Sequence, residues 1–194
     1  MSWDMVKMGD IGESFIGLTY SPDDITTKGT PVLRAGNIQN ARLDFSDIVC
    51  VNRRINETLF LREDDILICA RNGSKSLIGK AALITGLSEE MTFGAFMTVY
   101  RSPYNRFIIH FLQSEGFRQQ LSRSSTNTIN QLTQDILHNI EIPLPPIDEQ
   151  RRIATEVERQ LAVVEKAKQA AIEQLNTINA MPAAILRQAF SGHM

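Results

Sequence analysis

The sequence predicts an α/β (α+β) globular domain followed by one long C-terminal α-helix. Short β-branched and aromatic runs alternate with Gly, Asn, Asp and Pro clusters over about the first hundred residues, a pattern typical of strands and turns. A proline cluster occupies Pro143–Pro146, and no Gly or Pro follows between Asp148 and Met181. The chain has 194 residues, 43% of them hydrophobic, which is enough for one ordinary core and an appended element. We therefore predict a globular domain over 1–146 and a helical region over 147–194.

Five segments of the globular domain have the composition of β-strands: Thr30–Arg34, Ile48–Asn52, Ile66–Ala70, Gly79–Thr85 and Gly94–Arg101. Asn72 and Gly73 lie between the third and fourth segments and are a strong turn signal. From Asn105 the apolar residues recur with the period of a helix, so we predict an amphipathic helix there. Gly116 predicts a break in that helix, before a second piece that runs through Leu121.

The long helix is predicted to begin directly after the proline cluster. Asp148 is a favourable N-cap residue, and Glu149 places a negative charge near the positive end of the helix dipole. At 1.5 Å per residue, a helix from Asp148 to Met181 is about 50 Å long. Pro182 predicts an end or a kink, and the apolar residues of 183–190 predict a further short helix.

Residues at alternating steps of three and four form a seam along this helix: Ala154, Val157, Leu161, Val164, Lys168, Ala171, Leu175 and Ile178. Lys168 is its only polar member, and the flanking positions are mostly Glu, Lys, Arg and Gln. Such a narrow seam suits packing against one other long helix, as in a coiled coil. The alternative is a helix that lies back across its own domain. Because Lys168 and two alanines weaken the seam, we expect additional partner contacts, including some from Ile185 and Phe190.

Sequence motifs for catalysis or cofactor binding are absent. Gly73 and Gly79 do not have the spacing of a phosphate-binding P-loop, and Lys80 is not followed by Ser or Thr. The three His and two Cys residues show no spacing typical of metal ligands, and Cys50 and Cys69 are predicted to be buried, reduced thiols. We expect a protein that is not an enzyme and has no metal or cofactor of its own. A nuclease with a dispersed active site stays open as an alternative.

Charge is distributed unevenly along the chain. The net charge is −2, which by itself does not indicate nucleic-acid binding, but residues 66–134 carry seven basic and three acidic side chains. A basic face can bind a polyanion despite an unremarkable total charge, whereas a mixed solvated surface is the ordinary alternative. The sequence has no apolar run of the roughly 20 residues that a membrane span needs, and no signal-like N-terminus. We therefore expect a cytoplasmic protein that does not bind membranes.

Several stretches, in order, resemble a known family: PVLRAGNIQNARLDFSDIVCV, EDDILICARNGSKSLIGKAALI, TFGAFMTVYRSP, NTINQLTQDILHNIEIPLPPIDEQRRIA and ILRQAFSG. Together they resemble the specificity subunit of type I restriction-modification systems. Members of that family usually carry two target recognition domains, each followed by a long helix, and read the two halves of a split DNA site. With one domain and one helix, this chain resembles a half-length specificity subunit.

The resemblance implies partners as well as a fold. In the family, two helices pack as an antiparallel coiled coil between two recognition domains and dock methyltransferase subunits, which carry S-adenosylmethionine and join with restriction subunits. Our hypothesis is that a second copy of this chain supplies the missing helix, giving a homodimer through the seam. Two alternatives stay open, namely a fragment of a longer subunit and a partner for a different half. A scaffold that binds only protein is a further alternative.

Nine side chains are candidates for contacting double-stranded DNA, in three groups: Arg71, Asn72, Lys75 and Lys80 around the predicted turn, then Arg34 and Asn37, then Thr128, Asn130 and Gln131. Lys and Arg neutralise phosphates, and forked or amide side chains read base edges. Each candidate also has an ordinary alternative. Asn37 can cap a turn, and Asn130 and Gln131 can bond to the local backbone.

Overall fold

Twelve strands and five α-helices form the part of the chain that the computed structural model describes, which is residues 3–124 and 131–191. The strands are β1 Asp4–Lys7, β2 Glu13–Ile16, β3 Ile25–Thr26, β4 Thr30–Leu33, β5 Ile38–Gln39, β6 Arg42–Leu43, β7 Val49–Val51, β8 Ile66–Cys69, β9 Ala81–Leu83, β10 Thr92–Phe93, β11 Met97–Arg101 and β12 Glu141–Leu144. The helices are α1 Met8–Ile11, α2 Asn105–Leu112, α3 Glu115–Ser124, α4 Gln134–Asn139 and α5 Ile147–Phe190. The chain divides into two compact units, Met1–Arg151 and Arg152–Met194.

The first of two four-stranded sheets has the order β2-β11-β8-β9, and all its pairs are antiparallel. In β11, Val99 lies opposite Phe15 of β2 on one side and Leu67 of β8 on the other. All four residues of β8 are buried. A strand covered on both faces needs no polar alternation, which explains the unbroken apolar sequence of β8.

The second four-stranded sheet has the order β10-β4-β7-β3, with β10 and β4 parallel and the other pairs antiparallel. Residues of both sheets meet in one buried cluster: Leu33, Ile38, Leu61, Leu67, Cys69, Ala82, Ile84, Met91, Phe93, Met97 and Val99. Both cysteines are free thiols, with Cys69 buried in this cluster and Cys50 partly buried in β7. The cluster fixes the ends of β8 and β11, from which the candidate site projects.

A separate two-stranded ladder closes the N-terminal unit. β1 pairs antiparallel with β12, so that Asp4 lies opposite Leu144 and Met5 lies opposite Pro143. The Gln120 side chain in α3 holds β12 from the other side, since it donates to the Glu141 carbonyl at 2.7 Å and accepts from the Glu141 amide at 2.9 Å. The chain therefore enters and leaves this unit through neighbouring strands.

The predicted fold class, a sheet-rich α/β (α+β) unit followed by a long helix, is confirmed. β4, β7, β8, β9 and β11 lie inside the five predicted strand segments, and α2 begins at Asn105 as predicted. The break after α2 falls at 113–114 and not at Gly116, which lies inside α3. The Ser114 hydroxyl accepts from the Phe117 amide at 3.4 Å, so Ser114 starts the new helix.

The long helix α5 begins at Ile147, one residue before the predicted N-cap Asp148, which lies in the first turn. It continues through Pro182 to Phe190, so of the two predicted outcomes at Pro182, an end or a kink, the end is wrong, and 183–190 does not form a separate helix. A proline inside a helix lacks an N–H donor and crowds the carbonyl of residue i−4, but the alanines and leucine that follow Pro182 are strong helix formers. Among the helices of the described residues, none is both long and apolar enough to cross a membrane.

Candidate nucleic-acid interface

Arg71 follows the buried strand β8 and projects from the surface. Its backbone amide donates to the Phe96 carbonyl at 2.9 Å, and its backbone forms an isolated antiparallel bridge with Gln131. Its guanidinium donates to the Gln131 side-chain oxygen at 2.7 Å and lies 5.9 Å from the centre of the Phe96 ring. An exposed arginine is thus held from two sides, by an amide and by an aromatic face.

A groove of about 570 Å³ brings two of the predicted groups together. Arg34, Arg71 and Asn72 all line it, beside the aromatic rings of Tyr20 and Phe96. The Arg34 guanidinium donates to the exposed Asp47 carboxylate at 2.9 Å, and Asp47 lines the groove as well. The groove therefore presents guanidinium and amide donors, a carboxylate acceptor and flat apolar surface within one concave site.

Asn37 has a different role from the one its group predicted. It is 1% exposed, and its side-chain oxygen accepts from the Arg34 amide at 2.8 Å. Its side-chain nitrogen donates to the carbonyls of Asp44 and Asp47 at 2.9 and 3.0 Å. Because the amide is buried and bonded at both ends, Asn37 shapes the turn that carries Arg34 and has no free atom for a base. This is the turn-capping alternative noted from the sequence.

The segment between β8 and β9 forms the turn that Asn72 and Gly73 predicted. The Asn72 side-chain oxygen accepts from the Ser74 amide at 3.0 Å, and Lys75–Leu77 forms a short 3-10 turn. Gly79 has a φ of +78°, and a β-carbon there would meet Phe117 at 2.9 Å, so both backbone and space require glycine. Lys75 is exposed at the tip of the segment, whereas Lys80 is partly buried at its base. Neither lysine lines the groove.

The base of this segment is held by the buried core. The Cys69 amide donates to the Lys80 carbonyl at 2.8 Å, and the Gly79 amide donates to the Cys69 carbonyl at 2.9 Å. Burial raises the pKa of the Cys69 thiol, against the smaller opposing effects of Asn72 and Lys80. The thiol is therefore protonated at neutral pH and acts as a small apolar core residue.

Thr128 and Asn130, from the third predicted group, lie outside the described residues. Gln131 is the first described residue after that gap, and its bond to Arg71 joins the third group to the first. Within residues 3–124 and 131–191, no group of three or more His, Cys, Asp or Glu side chains is placed to hold a metal ion.

Sequence reasoning missed three residues that line the groove, namely Tyr20, Asp47 and Phe96. Phe96 is the clearest case. It is 60% exposed, although most large apolar residues of this unit are buried. Phe96 lies two residues after Gly94, in the turn between β10 and β11. The glycine is the sequence signal for this turn, which places Phe96 at the surface. Composition alone does not separate an exposed phenylalanine from the buried Phe93 three residues earlier.

The seam of α5 is exposed over most of its length. Leu161, Val164, Leu175 and Ile178 expose 48%, 62%, 56% and 60% of their surfaces. Ile185 and Phe190 are exposed too, whereas Ala154 is buried and Val157 is partly buried. Large exposed apolar side chains in a row on one helix face are typical of surfaces that bind a partner.

Comparisons with known proteins identify this combination of unit and helix. The family model described as the type I restriction modification DNA specificity domain matches residues 1–174. The specificity subunit of the type I restriction enzyme EcoKI from Escherichia coli strain K12 is 33% identical over 185 residues, covering 91% of this chain and 39% of the relative. The StySPI specificity subunit from Salmonella potsdam is 36% identical over 183 residues, covering 90% of this chain and 38% of the relative.

Solved structures share the fold. A chain of a type I R-M system superposes with a TM-score of 0.79 at 22% identity, covering all of this chain and 47% of its own length. The HsdS subunit from Thermoanaerobacter tengcongensis has a TM-score of 0.63 at 21% identity, again covering all of this chain and 46% of its own length. This chain thus spans about two fifths of the curated relatives and just under half of the solved chains. It belongs to the type I restriction-modification DNA specificity family.

Proposed function

We propose that this chain reads one half of a split DNA site and brings methyltransferase and restriction subunits to it, without catalysing a reaction itself. One observation carries the proposal: Arg71 is held by Gln131 and Phe96 at the rim of a groove that Arg34 and Asn72 also line. Membership of the specificity family supports it.

The chemistry of the groove suits base edges. A guanidinium donates two parallel hydrogen bonds to the O6 and N7 atoms of guanine, an amide pairs with adenine, and a carboxylate accepts from the amino group of cytosine. Arg71, Asn72 and Asp47 offer these three groups. Because Gln131 and Phe96 already restrict the Arg71 side chain, less rotamer entropy is lost when it meets a base. We assign sequence reading to this groove.

Phosphate contact is assigned to the exposed end of the turn between β8 and β9. Lys75 lies at its tip and outside the groove, where a flexible ammonium suits a phosphate better than a base edge. Lys80 is partly buried and contributes positive charge at the base of the turn. Thr128 and Asn130 stay in the proposal only as sequence-based candidates.

The helical region completes the assignment. We place target recognition in 1–146 and assign 147–194 to spacing, dimerisation and methyltransferase docking. A second copy of this chain supplies the second domain and helix that the longer relatives have room for, giving a homodimer that reads a symmetric site. S-adenosylmethionine belongs to the methyltransferase subunit in this scheme, and the complex works in the cytoplasm.

Methylome sequencing of cells that express a cognate methyltransferase subunit, with and without this chain, tests the proposal directly. We expect methylation at one split, two-fold symmetric target that is present only when the chain is expressed. The purified chain should also bind DNA with an affinity that falls as salt rises. A methylome that does not depend on the chain would overturn the proposal. Salt-independent or absent DNA binding would favour a protein-only scaffold, and metal-dependent cleavage by the pure chain would favour a nuclease.

A further inference from the structure

Phe96 is an exposed aromatic ring at the tip of a well-anchored turn. The Met97 amide donates to the Gly94 carbonyl at 2.8 Å, which closes the turn, and both Gly94 and Met97 are buried. Between these two anchors Phe96 is 60% exposed and lines the groove. A single exposed phenylalanine is ordinary by itself. Phe96 differs because it lies beside Arg71, the arginine to which we assign base reading.

The Phe96 ring and the Arg71 guanidinium are held at a fixed separation. The Phe96 carbonyl accepts from the amides of Ala70 and Arg71 at 3.0 and 2.9 Å, so the two backbones are tied together. The guanidinium carbon lies 5.9 Å from the centre of the ring, and Gln131 accepts from the guanidinium at 2.7 Å. The groove therefore presents a forked donor and an apolar ring side by side.

The separation between the two groups limits which base pairs the ring can reach. A guanidinium that donates to O6 and N7 of a guanine lies in the major groove. Successive base pairs are about 3.4 Å apart along the duplex. A ring 5.9 Å from that guanidinium therefore faces the DNA within about two base pairs of the guanine. On the major-groove edges of the bases, the distinctive apolar group is the 5-methyl group of thymine.

We propose that Phe96 recognises the methyl group of a thymine that lies within two base pairs of the guanine read by Arg71. This inference rests on the proposed function and adds a specificity-determining residue and its base. The ring cannot satisfy the amino group of cytosine or the N7 atom of a purine, so covering those groups with it costs free energy. Phe96 thus selects by apolar contact, whereas Arg71 selects by hydrogen bonds.

Deoxyuridine tests the contact, because it differs from thymidine only in the missing methyl group. The full chain, in complex with its methyltransferase subunit, is titrated with duplexes of the methylome-derived target in which single thymines of one half-site are replaced by deoxyuridine. The guanine is identified as the base at which Arg71→Ala relaxes the preference. We expect one thymine within two base pairs of it whose replacement raises the Kd about fourfold, as expected for one buried methyl group.

Three variants assign the effect to the ring. Phe96→Ala should bring the ratio of the two Kd values to about one, because the apolar contact is lost. Phe45→Ala is the matched control, since Phe45 is 45% exposed but does not line the groove, and it should leave the ratio unchanged. Arg71→Ala should keep the ratio while it loses the guanine preference. Circular dichroism checks that all three variants are folded.

The other outcomes separate this inference from the proposed function. A target without a thymine in that interval, an equal Kd for thymine and deoxyuridine, or a ratio that Phe96→Ala leaves unchanged overturns the role of Phe96 while sequence reading by the chain stands. A ratio that Arg71→Ala abolishes assigns the methyl contact to the guanidinium and also overturns it. Binding with no base preference, or with a preference that Arg71→Ala leaves unchanged, overturns reading by the groove and this inference together.

Discussion

At the scale of single residues, an ion pair with a buried carboxylate joins β11 to the turn before β8. The Asp65 side chain is 2% exposed, and Arg101 donates to both of its oxygens at 2.8 and 2.7 Å. The Arg62 amide donates to the same carboxylate at 2.9 Å, and the guanidinium lies 4.7 Å from the centre of the Phe15 ring. Removal of Arg101 would leave a buried carboxylate without its ion-pair partner, and removal of the Asp65 charge would leave the partly buried Arg101 guanidinium without a carboxylate.

We predict that Asp65→Asn destabilises the chain by about 3 kcal/mol, because Arg101 keeps its charge at a partly buried site that no longer offers a carboxylate. The adjacent residue provides a matched control. Asp64 pairs with Arg106 on the surface at 2.9 Å, and asparagine tolerates its positive φ of 64°, so Asp64→Asn should cost about 0.5 kcal/mol. Urea unfolding followed by circular dichroism measures both variants. Equal losses would show that burial does not distinguish the two pairs.

Arg71 and Lys75 should affect DNA binding in different ways. Arg71→Ala should relax the preference at one base pair by about 1–3 kcal/mol, because a base contact is lost. Lys75→Ala should weaken all sequences alike and lower the magnitude of the salt slope by about 1, because one phosphate contact is lost. Competition binding against single-base variants of the target, repeated at several salt concentrations, separates these effects. Unchanged specificity in Arg71→Ala would remove the groove from sequence reading.

At the scale of secondary structure, local signals are predictable and long-range pairing is not. The buried strand β8 and the long helix α5 were predictable because an apolar run and a heptad are properties of neighbouring residues. The ladder of β1 with β12 was not predictable, since nothing near Met5 indicates Pro143 as its partner. The proline cluster was interpreted as a boundary, yet Pro143 lies inside β12, where an edge strand needs no donor from it.

The same distinction applies to the candidate site. Arg71 and Asn72 were predictable because a turn signal with basic and amide side chains is local. The burial of Asn37 and the exposure of Phe96 depend on how distant strands pack. The residue type alone does not indicate whether the side chain is buried or exposed. Gln131 was a sequence candidate because its side chain carries an amide. Its hydrogen bond to Arg71 was not predictable, because the two residues lie far apart in sequence.

Two adjacent valines in α5 provide a test of the seam. We predict that Val164→Asp weakens the proposed homodimer by about 3 kcal/mol, or about a hundredfold in Kd, because each copy would place a carboxylate in the apolar seam. Val163 is equally exposed but lies off the seam, so Val163→Asp should leave the Kd within about twofold. Sedimentation equilibrium gives both constants, and circular dichroism checks that the helix is retained. Equal weakening by the two variants would contradict the seam.

At the scale of the whole molecule, the length of α5 would set the distance between the two recognition domains of the proposed homodimer. At 1.5 Å per residue, its 44 residues extend about 66 Å. In the proposed function, site spacing depends on this helix and base preference depends on the groove, so a mutation in one should leave the other unchanged.

The pairing of β1 with β12 has a consequence for how new specificities can arise. Because Asp4 lies opposite Leu144, the β1–β12 ladder holds the two ends of the intervening stretch together. A stretch of different sequence and length would be held in the same way if its two ends formed the same short ladder. In the proposed function, exchange of that one stretch between genes would change the DNA sequence that is recognised and leave the long helix α5 unchanged. The β1–β12 ladder would thus let the residues between the two strands vary as one unit.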